Sequence, residues 1–307
     1  MTAPALPSRD LHGHGASPPR ASLPNGARAI VSLVVNLEEG AEWAVSDGDA
    51  LAEGMAEVRS VVEPGRWDQG TEQQFAYGVR AGVWRILRAL DEHRRLATFW
   101  MCGRAVERSP ALARAIVAAG HEGACHGWRW RTCADYDDVD AERRDLLRSI
   151  AAIEAATGER PLGFFCRGSE SRWTRGLLRE AGFAYSSNGL DDDLPYWDAP
   201  PGERPLLVVP YAFDSNDMKF FHPNGFVRAD DMVDYVRDAI DELLREGEAG
   251  CPKLLNLGFH LRIVGRPGRF AAFRRILALL DGYGDRVWTP RRIDLARHWA
   301  GAFPPPA

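Results

Sequence analysis

Short apolar runs alternate with longer stretches of helical periodicity along most of this chain. Residues 29–36 are apolar at nearly every position, as in a strand that is buried on both faces of a sheet. Between residues 75 and 90, apolar side chains recur at every third or fourth position, which predicts a helix. Pro110 and Gly158 stand where one helix is expected to begin and another to end.

The same pattern predicts an alternation of strands and helices from residue 29 onward. The predicted strands are Ala29–Asn36, Ala97–Met101, Gly123–His126, Leu162–Cys166, Phe183–Ser187, Leu206–Phe213 and Leu254–Phe259. The predicted helices are 75–90, Pro110–Ala119, Asp140–Thr157, Thr174–Ala181, Ala229–Arg245 and Phe270–Asp281, followed by a closing segment from Val287 to Trp299. Seven or eight strands that alternate with helices predict an α/β fold, a single distorted (β/α) barrel.

The first 28 residues differ from this pattern. They contain Pro, Gly, His and Arg but no apolar segment of the kind that a secretory signal requires. We predict a flexible N-terminal tail over residues 1–28 and a catalytic barrel domain over residues 29–302.

Composition narrows the class of partner. The content of 45% hydrophobic and 26% charged residues is that of a globular protein, which argues against general disorder. A net charge of -5 gives no basic surface for nucleic acid or an anionic membrane. No apolar run reaches the roughly 18 residues that span a bilayer. The five cysteines, an odd number without the spacing of a disulfide framework, favour a reducing cytoplasm.

Polar residues directly after the predicted strands are the candidate site, because barrels of this type place their chemistry at the carboxyl ends of strands. Glu38 and Glu39 follow the first strand, His126 ends the third, and Arg167 and His260 follow later strands. Each alone has an ordinary explanation, a solvated acidic pair or a hydrogen-bonded structural histidine. Their occurrence at several strand ends of one barrel favours a catalytic site.

Several motifs then carry a resemblance to a known family. They are Asn36–Gly40, Cys125–Trp130, Asp192–Trp197, Pro210-Tyr211 with Asn216–Met218, His260–Arg269 and Arg292–Trp299. The sequence resembles the polysaccharide deacetylase superfamily, and more closely its branch of cofactor-independent allantoinases and cyclic imide hydrolases. The resemblance runs from about residue 30 to residue 300, and it implies a homo-oligomer, with a tetramer as the expected form.

The superfamily pattern also bears on metal binding. A metal-dependent deacetylase needs a carboxylate and two imidazoles around its cation. Glu39 and His126 match two of these ligands, but Trp130 stands where the second histidine is expected. An indole cannot coordinate a divalent ion. We therefore predict a site without metal and without a cofactor.

The resemblance assigns roles position by position. Glu38 corresponds to the base that activates water, and His260 would donate a proton to the leaving nitrogen. His126 would hold the water or the oxyanion, and Glu39 would orient N–H groups of the substrate. The activity that this implies is the cleavage of a carbon–nitrogen bond in a small cyclic amide, ureide or imide, as in allantoinase.

Further residues are predicted to bind the substrate. They are Trp128, Trp130, Arg167, Trp197, Asp217, Arg262 and Arg266. Arg262 and Arg266 suit a substrate carboxylate or carbonyl through forked donors, although structural ion pairs are an equal explanation. The tryptophans are expected as pocket walls or core, and the competing interpretation of Asp217 is a loop cap.

Two segments depart from the allantoinase branch. Residues 167–171 do not keep the arginine–proline–aromatic motif of the superfamily, and residues 185–189 carry Ser and Asn where the branch tends to carry Asp. These changes favour a cyclic amide other than allantoin. Two alternatives stay open: a metal-dependent N-deacetylase of an amino sugar or polysaccharide, and a non-catalytic barrel that binds a small molecule.

Overall fold

The computed structural model describes residues 9–58 and 60–306 of the chain. The strands in this part are β1 (Ala29–Leu37), β2 (Thr98–Met101), β3 (Glu122–Cys125), β4 (Gly163–Phe164), β5 (Tyr185–Ser186), β6 (Tyr196–Asp198), β7 (Leu206–Val208), β8 (Leu254–His260) and β9 (Val287–Trp288). The helices are α1 (Gln69–Tyr77), α2 (Val83–Glu92), α3 (Gly103–Arg108), α4 (Pro110–Ala118), α5 (Val139–Thr157), α6 (Thr174–Glu180), α7 (Ala229–Glu248), α8 (Pro267–Tyr283) and α9 (Arg292–Ala302). A π-helical segment, Gly78–Gly82, joins α1 to α2.

The strands form one curled sheet in the order β6-β7-β5-β4-β3-β2-β1-β8, with β9 paired to the start of β1. All pairings are parallel except that of β6 with β7. Among the described residues no ladder joins β6 to β8, so the barrel is open on that side. The predicted fold class, a distorted (β/α) barrel, is confirmed.

Strand β1 is central to the fold because it is buried along its whole length. Alternate side chains pack on opposite faces of a strand. Leu33 and Val35 belong to the larger apolar cluster, to which the surrounding helices also contribute, whereas Ile30 and Val34 belong to a second cluster on the other face. The parallel register sets Asn36 beside His260, which brings the carboxyl ends of β1 and β8 together.

The observed elements differ from the predicted ones at particular residues. The helix predicted over 75–90 begins at Gln69, where Asp68 accepts from the Thr71 N–H and caps it. The strand predicted over Leu206–Phe213 ends at Val208, since Pro210 has no N–H to donate to a neighbouring strand. Helix α3 and the antiparallel edge strand β6 are too short to give a periodic signal, and the sequence did not predict them.

The division into a tail and a catalytic domain stays a prediction, and residues 1–8 lie outside the described part. Within the segment predicted as a tail, Ala21, Leu23 and Ala27 are buried against the second apolar cluster. None of the helices in the described part combines the length and apolarity that crossing a membrane requires.

Candidate functional site

Three strand ends converge on one carboxylate. Glu38 follows β1, His126 follows β3 and His260 ends β8, and all three residues are at most 5% exposed. Glu38 Oε1 lies 3.3 Å from His126 Nε2 and 3.4 Å from His260 Nε2. The structure therefore brings together the three residues that the sequence predicts as catalytic.

Asp217 holds the imidazole of His260 from behind. The Nδ1 of His260 lies 2.6 Å from Asp217 Oδ1, while Asp217 Oδ2 accepts from the backbone N–H groups of His260 and Val264. Both oxygens of this fully buried carboxylate are thus bound by protein groups. Asp217 therefore supports His260 in this structure, and its predicted role in substrate binding stays a prediction. The loop cap beside it is Asn216, whose side chain accepts from the Met218 N–H.

His126 is fixed by its other ring nitrogen. Its Nδ1 lies 2.5 Å from the Phe165 carbonyl oxygen, and its ring stacks on the Phe165 ring. A carbonyl can only accept, so Nδ1 carries a proton, and in the neutral ring Nε2 is an acceptor that faces Glu38. Glu38 Oε1 has no hydrogen-bond donor among the described residues. One water molecule can donate to both of these acceptors.

The pKa values of Glu38 and His260 are shifted in opposite directions. Burial alone would raise the pKa of Glu38, but the charges of His260 and Arg262 outweigh it and hold that pKa well below its usual range. Burial likewise disfavours a charged His260, yet Glu38 and Asp217 together raise its pKa to about 9. At neutral pH the site therefore contains an ionised carboxylate, which can take a proton, beside an imidazolium, which can give one.

Arg262 contacts the same carboxylate from the opposite side. Its Nη1 donates to Glu38 Oε2 over 2.7 Å, and its guanidinium lies 4.6 Å from the centre of the Trp130 ring and 4.3 Å from that of Phe75. Arg262 is only 4% exposed, and its Nε and Nη2 have no acceptor among the described residues. Two nitrogens of this buried guanidinium are thus left with N–H groups that a bound molecule could use.

Glu39 is held mainly by backbone donors. Its oxygens accept from the N–H groups of Glu38 and Arg262, at 3.1 and 3.2 Å. Burial and the neighbouring charge of Glu38 raise the pKa of Glu39 to about 7, although Arg262 opposes the shift. Glu39 therefore exchanges its proton within the neutral range of pH.

The π-helical segment presses its glycines against this carboxylate and the loop beyond β8. A Cβ on Gly78 would lie 2.2 Å from Glu39 Oε1, and one on Gly82 would lie 2.1 Å from the Leu261 carbonyl oxygen. At Gly82 a side chain would meet the backbone itself, whereas at Gly78 it would displace the Glu39 carboxylate. Irregular helical turns of this kind often accompany functional sites. Two glycines four residues apart in a predicted helix were the sequence signal for this contact, and the sequence analysis missed it.

Two of the remaining predicted residues, Arg167 and Trp128, contact other side chains of the protein. Arg167 forms a two-pronged ion pair with the buried Glu53 and stacks on Trp130, so it is a structural ion pair. Trp128 is buried under the guanidinium of Arg148, 3.7 Å from the ring centre, and belongs to the core.

Two further predicted residues lie away from the three catalytic candidates. Trp197 on the edge strand β6 donates to the Phe303 carbonyl and packs against the second apolar cluster. Arg266 lies over the Tyr77 ring, at the mouth of a groove beside the site. Of the predicted substrate-binding group, Glu39, Trp130, Asp217 and Arg262 are therefore the residues that adjoin Glu38 or its partners.

The side chains at this site do not match the ligand set of a metal-dependent deacetylase. Trp130 is buried against Phe75, and both carboxylate oxygens of Glu39 accept backbone N–H groups. The guanidinium of Arg262 already supplies a positive charge to Glu38. Within residues 9–58 and 60–306, no three His, Cys, Asp or Glu side chains are grouped so that they could hold a metal ion.

Comparison with known proteins identifies the family of this chain. The family model described as polysaccharide deacetylase matches residues 67–186, which include His126 but neither Glu38 nor His260. A Schizosaccharomyces pombe protein, whose name places it among polysaccharide deacetylases, is 33% identical over 97% of this chain and 98% of its own length.

Two solved structures are similar over almost the whole chain. The crystal structure of PuuE allantoinase is 40% identical, covers 98% of this chain and 100% of its own, and superposes with a TM-score of 0.91. A Pseudomonas aeruginosa PAO1 protein, described as a probable polysaccharide deacetylase, is also 40% identical, with a TM-score of 0.91 over 97% of this chain and 99% of its own. The chain belongs to the polysaccharide deacetylase family, whose deacetylase and allantoinase members hydrolyse carbon–nitrogen bonds.

Proposed function

We propose that this protein is a cyclic amidohydrolase that opens the ring of a cyclic amide, ureide or imide with protein groups alone. The observation that carries the proposal is the position of Glu38, between His126 and His260 on one oxygen and against Arg262 on the other. The likeness to PuuE allantoinase, whose name describes the opening of a cyclic ureide, supports the same reaction class.

The reaction follows from the charges of these groups. Glu38, held ionised, takes a proton from water bound between its Oε1 and His126, and the resulting hydroxide attacks the ring carbonyl carbon. The free donors of Arg262 can stabilise the oxyanion that develops. When the carbon–nitrogen bond breaks, the imidazolium of His260 gives its Nε2 proton to the departing nitrogen.

The groups of the site can each return to their starting protonation state. Glu38, which holds the proton taken from water, lies 3.4 Å from His260 and can return that proton to the imidazole. The net reaction adds one water across the carbon–nitrogen bond: an imide yields a carboxylic acid and an amide, and a ureide yields a carboxylic acid and a urea group. A cyclic imide or ureide suits such a site, because its carbonyl is electrophilic and its nitrogen leaves as a stabilised amide. An ordinary acetamide demands stronger activation, which a Lewis acid provides elsewhere.

The test is hydrolysis of a panel of rings by protein treated with a chelator. Allantoin, hydantoin and succinimide are the cyclic substrates, and an N-acetylated amino sugar is the matched open-chain amide. We expect at least one ring to be opened at an undiminished rate after chelation. Loss of activity on chelation, with recovery on added zinc, would contradict the proposal.

A metal-dependent N-deacetylase is the second candidate, because the S. pombe and P. aeruginosa relatives carry polysaccharide deacetylase names. It requires a third ligand in place of Trp130, which the described residues do not offer. Hydrolysis of the N-acetylated amino sugar, but of no ring, would favour it. Thermal stabilisation by a ring without turnover would indicate a non-catalytic binding protein instead.

A further inference from the structure

A groove opens beside Arg262 on the outside of the site. We call it the arginine groove; it has a volume of about 660 Å³ and is lined by Glu57, Val58, Gln74, Phe220, Val227, Arg228, Ala229, Arg266, Gly268 and Arg269. Three arginines and one glutamate among these residues give it a positive balance. A smaller cavity, which shares Glu57 and Gln74 with the groove, reaches inward to Arg262.

The arginines of the groove are not fully used by the protein. Arg269 Nη2 donates to Glu57 over 2.6 Å, but its Nη1 is buried without an acceptor in the described part of the chain. Arg266 Nε is also without an acceptor there, and it lies 3.7 Å from Glu57, beyond hydrogen-bond distance. Buried donors of charged groups are costly to leave unmatched, so an acceptor from outside the chain would be bound favourably.

Helix α8 adds to the positive character of the same place. It begins with Arg266 as N-cap and Pro267 as first residue, no side chain caps it, and Gly268 of its first turn lines the groove. The first N–H groups of a helix have no intrahelical acceptor, and the helix dipole makes this end positive. The buried free edge of Arg262, 4% exposed, is independent of this helix end and also points to an anion.

We propose that the arginine groove binds an anionic substituent, a carboxylate, carried by the ring on which Glu38 acts. This inference rests on the proposed ring opening and specifies its substrate class as acidic cyclic amides. The ring lies against Glu38 and Arg262, and its acidic arm extends toward Arg266 and Arg269. Arg262 offsets the charge of Glu38, which would otherwise repel an anion that enters the site.

The test compares two matched ligands, hydantoin-5-acetic acid and its neutral amide. Each is measured by steady-state hydrolysis and by calorimetry, where a ring that is not hydrolysed gives Kd directly. We expect the acid to be preferred at least about tenfold in kcat/KM or Kd, as for a charge-assisted hydrogen bond. Arg269→Gln should reduce that preference by about tenfold. Arg274→Gln, an exposed arginine of α8 that pairs with Glu92, is the control and should leave it unchanged.

The outcomes separate this inference from the proposed function. Equal handling of the acid and the amide, or an Arg269→Gln variant that weakens both alike, would overturn the anionic subsite even if rings are opened. A preference for the acid that Arg269→Gln abolishes would support the subsite even if neither ring is opened. In that last case only the proposed ring opening would fail.

Discussion

Strand β3 has a buried polar cluster at each of its ends, and the two clusters differ in one respect. At its carboxyl end lies the Glu38 cluster, which consists of Glu38, His126, His260 and Arg262. Glu38 Oε1 and two nitrogens of Arg262 have no partners there among the described residues. At its amino end, Glu122 accepts from Thr98, Tyr185 and the Ile293 N–H, and both of its oxygens are bound.

Arg292, which begins α9, completes the contrast. This fully buried guanidinium donates to Ser187, to Asn256 and to the carbonyl oxygens of Val209 and Pro210. Burial lowers the pKa of Arg292 to about 10, whereas opposite charges raise the pKa of His260. Every nitrogen of the Arg292 guanidinium and both oxygens of Glu122 have partners, which stabilises the fold, whereas the residues around Glu38 keep their charges and leave atoms free for a substrate.

The largest expected effect is the loss of catalysis when Glu38 is changed. Glu38→Gln should keep the fold but lower kcat by at least about a hundredfold, because an amide cannot accept the proton of water. Steady-state hydrolysis and circular dichroism on the same sample measure both effects. Turnover close to that of the wild type would remove Glu38 from its role as base.

The next largest effect is expected from the π-helical segment, where Gly78 contacts Glu39. In Gly78→Ala the new methyl group displaces the Glu39 carboxylate, and we expect kcat/KM to fall by about tenfold to a hundredfold. Gly176→Ala in α6, where a Cβ meets no atom within 4 Å, is the matched control and should keep its rate. Equal rates for the two variants would show that the close approach of Gly78 has no role in positioning Glu39.

A change at Arg292 should lower the stability of the protein and leave its catalytic rate unchanged. Arg292→Met leaves four buried acceptors unpaired and should lower the free energy of unfolding by about 3 kcal/mol. Urea denaturation measures this loss, and the kcat of the folded variant should stay near that of the wild type. A large loss of kcat without a loss of stability would mean that Arg292 also takes part in the chemistry.

The smallest expected effect is a shift in pH dependence. In the wild type, kcat/KM should rise as Glu39 ionises near its pKa of about 7 and fall as His260 loses its proton near its pKa of about 9. Asp217→Asn removes one of the charges that raise the pKa of His260, so the alkaline limb should move to lower pH. An alkaline limb that stays in place would separate Asp217 from His260.

Much of the fold followed from the sequence because long buried strands and amphipathic helices have strong periodic signals. Strand β1 and the residues after it were predicted to within about two positions. Short elements such as β6 and α3 carry no periodicity, and they form through pairing and packing with distant segments.

The site could be predicted only as far as strand ends and motifs reach. Glu38, His126 and His260 were found because each directly follows or ends a strand. Asp217 lies in a loop 43 residues before His260, and its hydrogen bond to that ring depends on tertiary packing. The stacking of Arg167 on Trp130 likewise could not be distinguished from a substrate contact without the position of Glu53.

The central claim is that Glu38, His126, His260 and Arg262 open a ring without help from a metal. The most direct measurement is kcat for one cyclic substrate across samples of the same protein whose metal content, determined by elemental analysis, ranges from stripped to zinc-saturated. The account predicts a kcat that does not depend on metal per chain. A kcat that rises in proportion to bound zinc and vanishes in the stripped protein would contradict it.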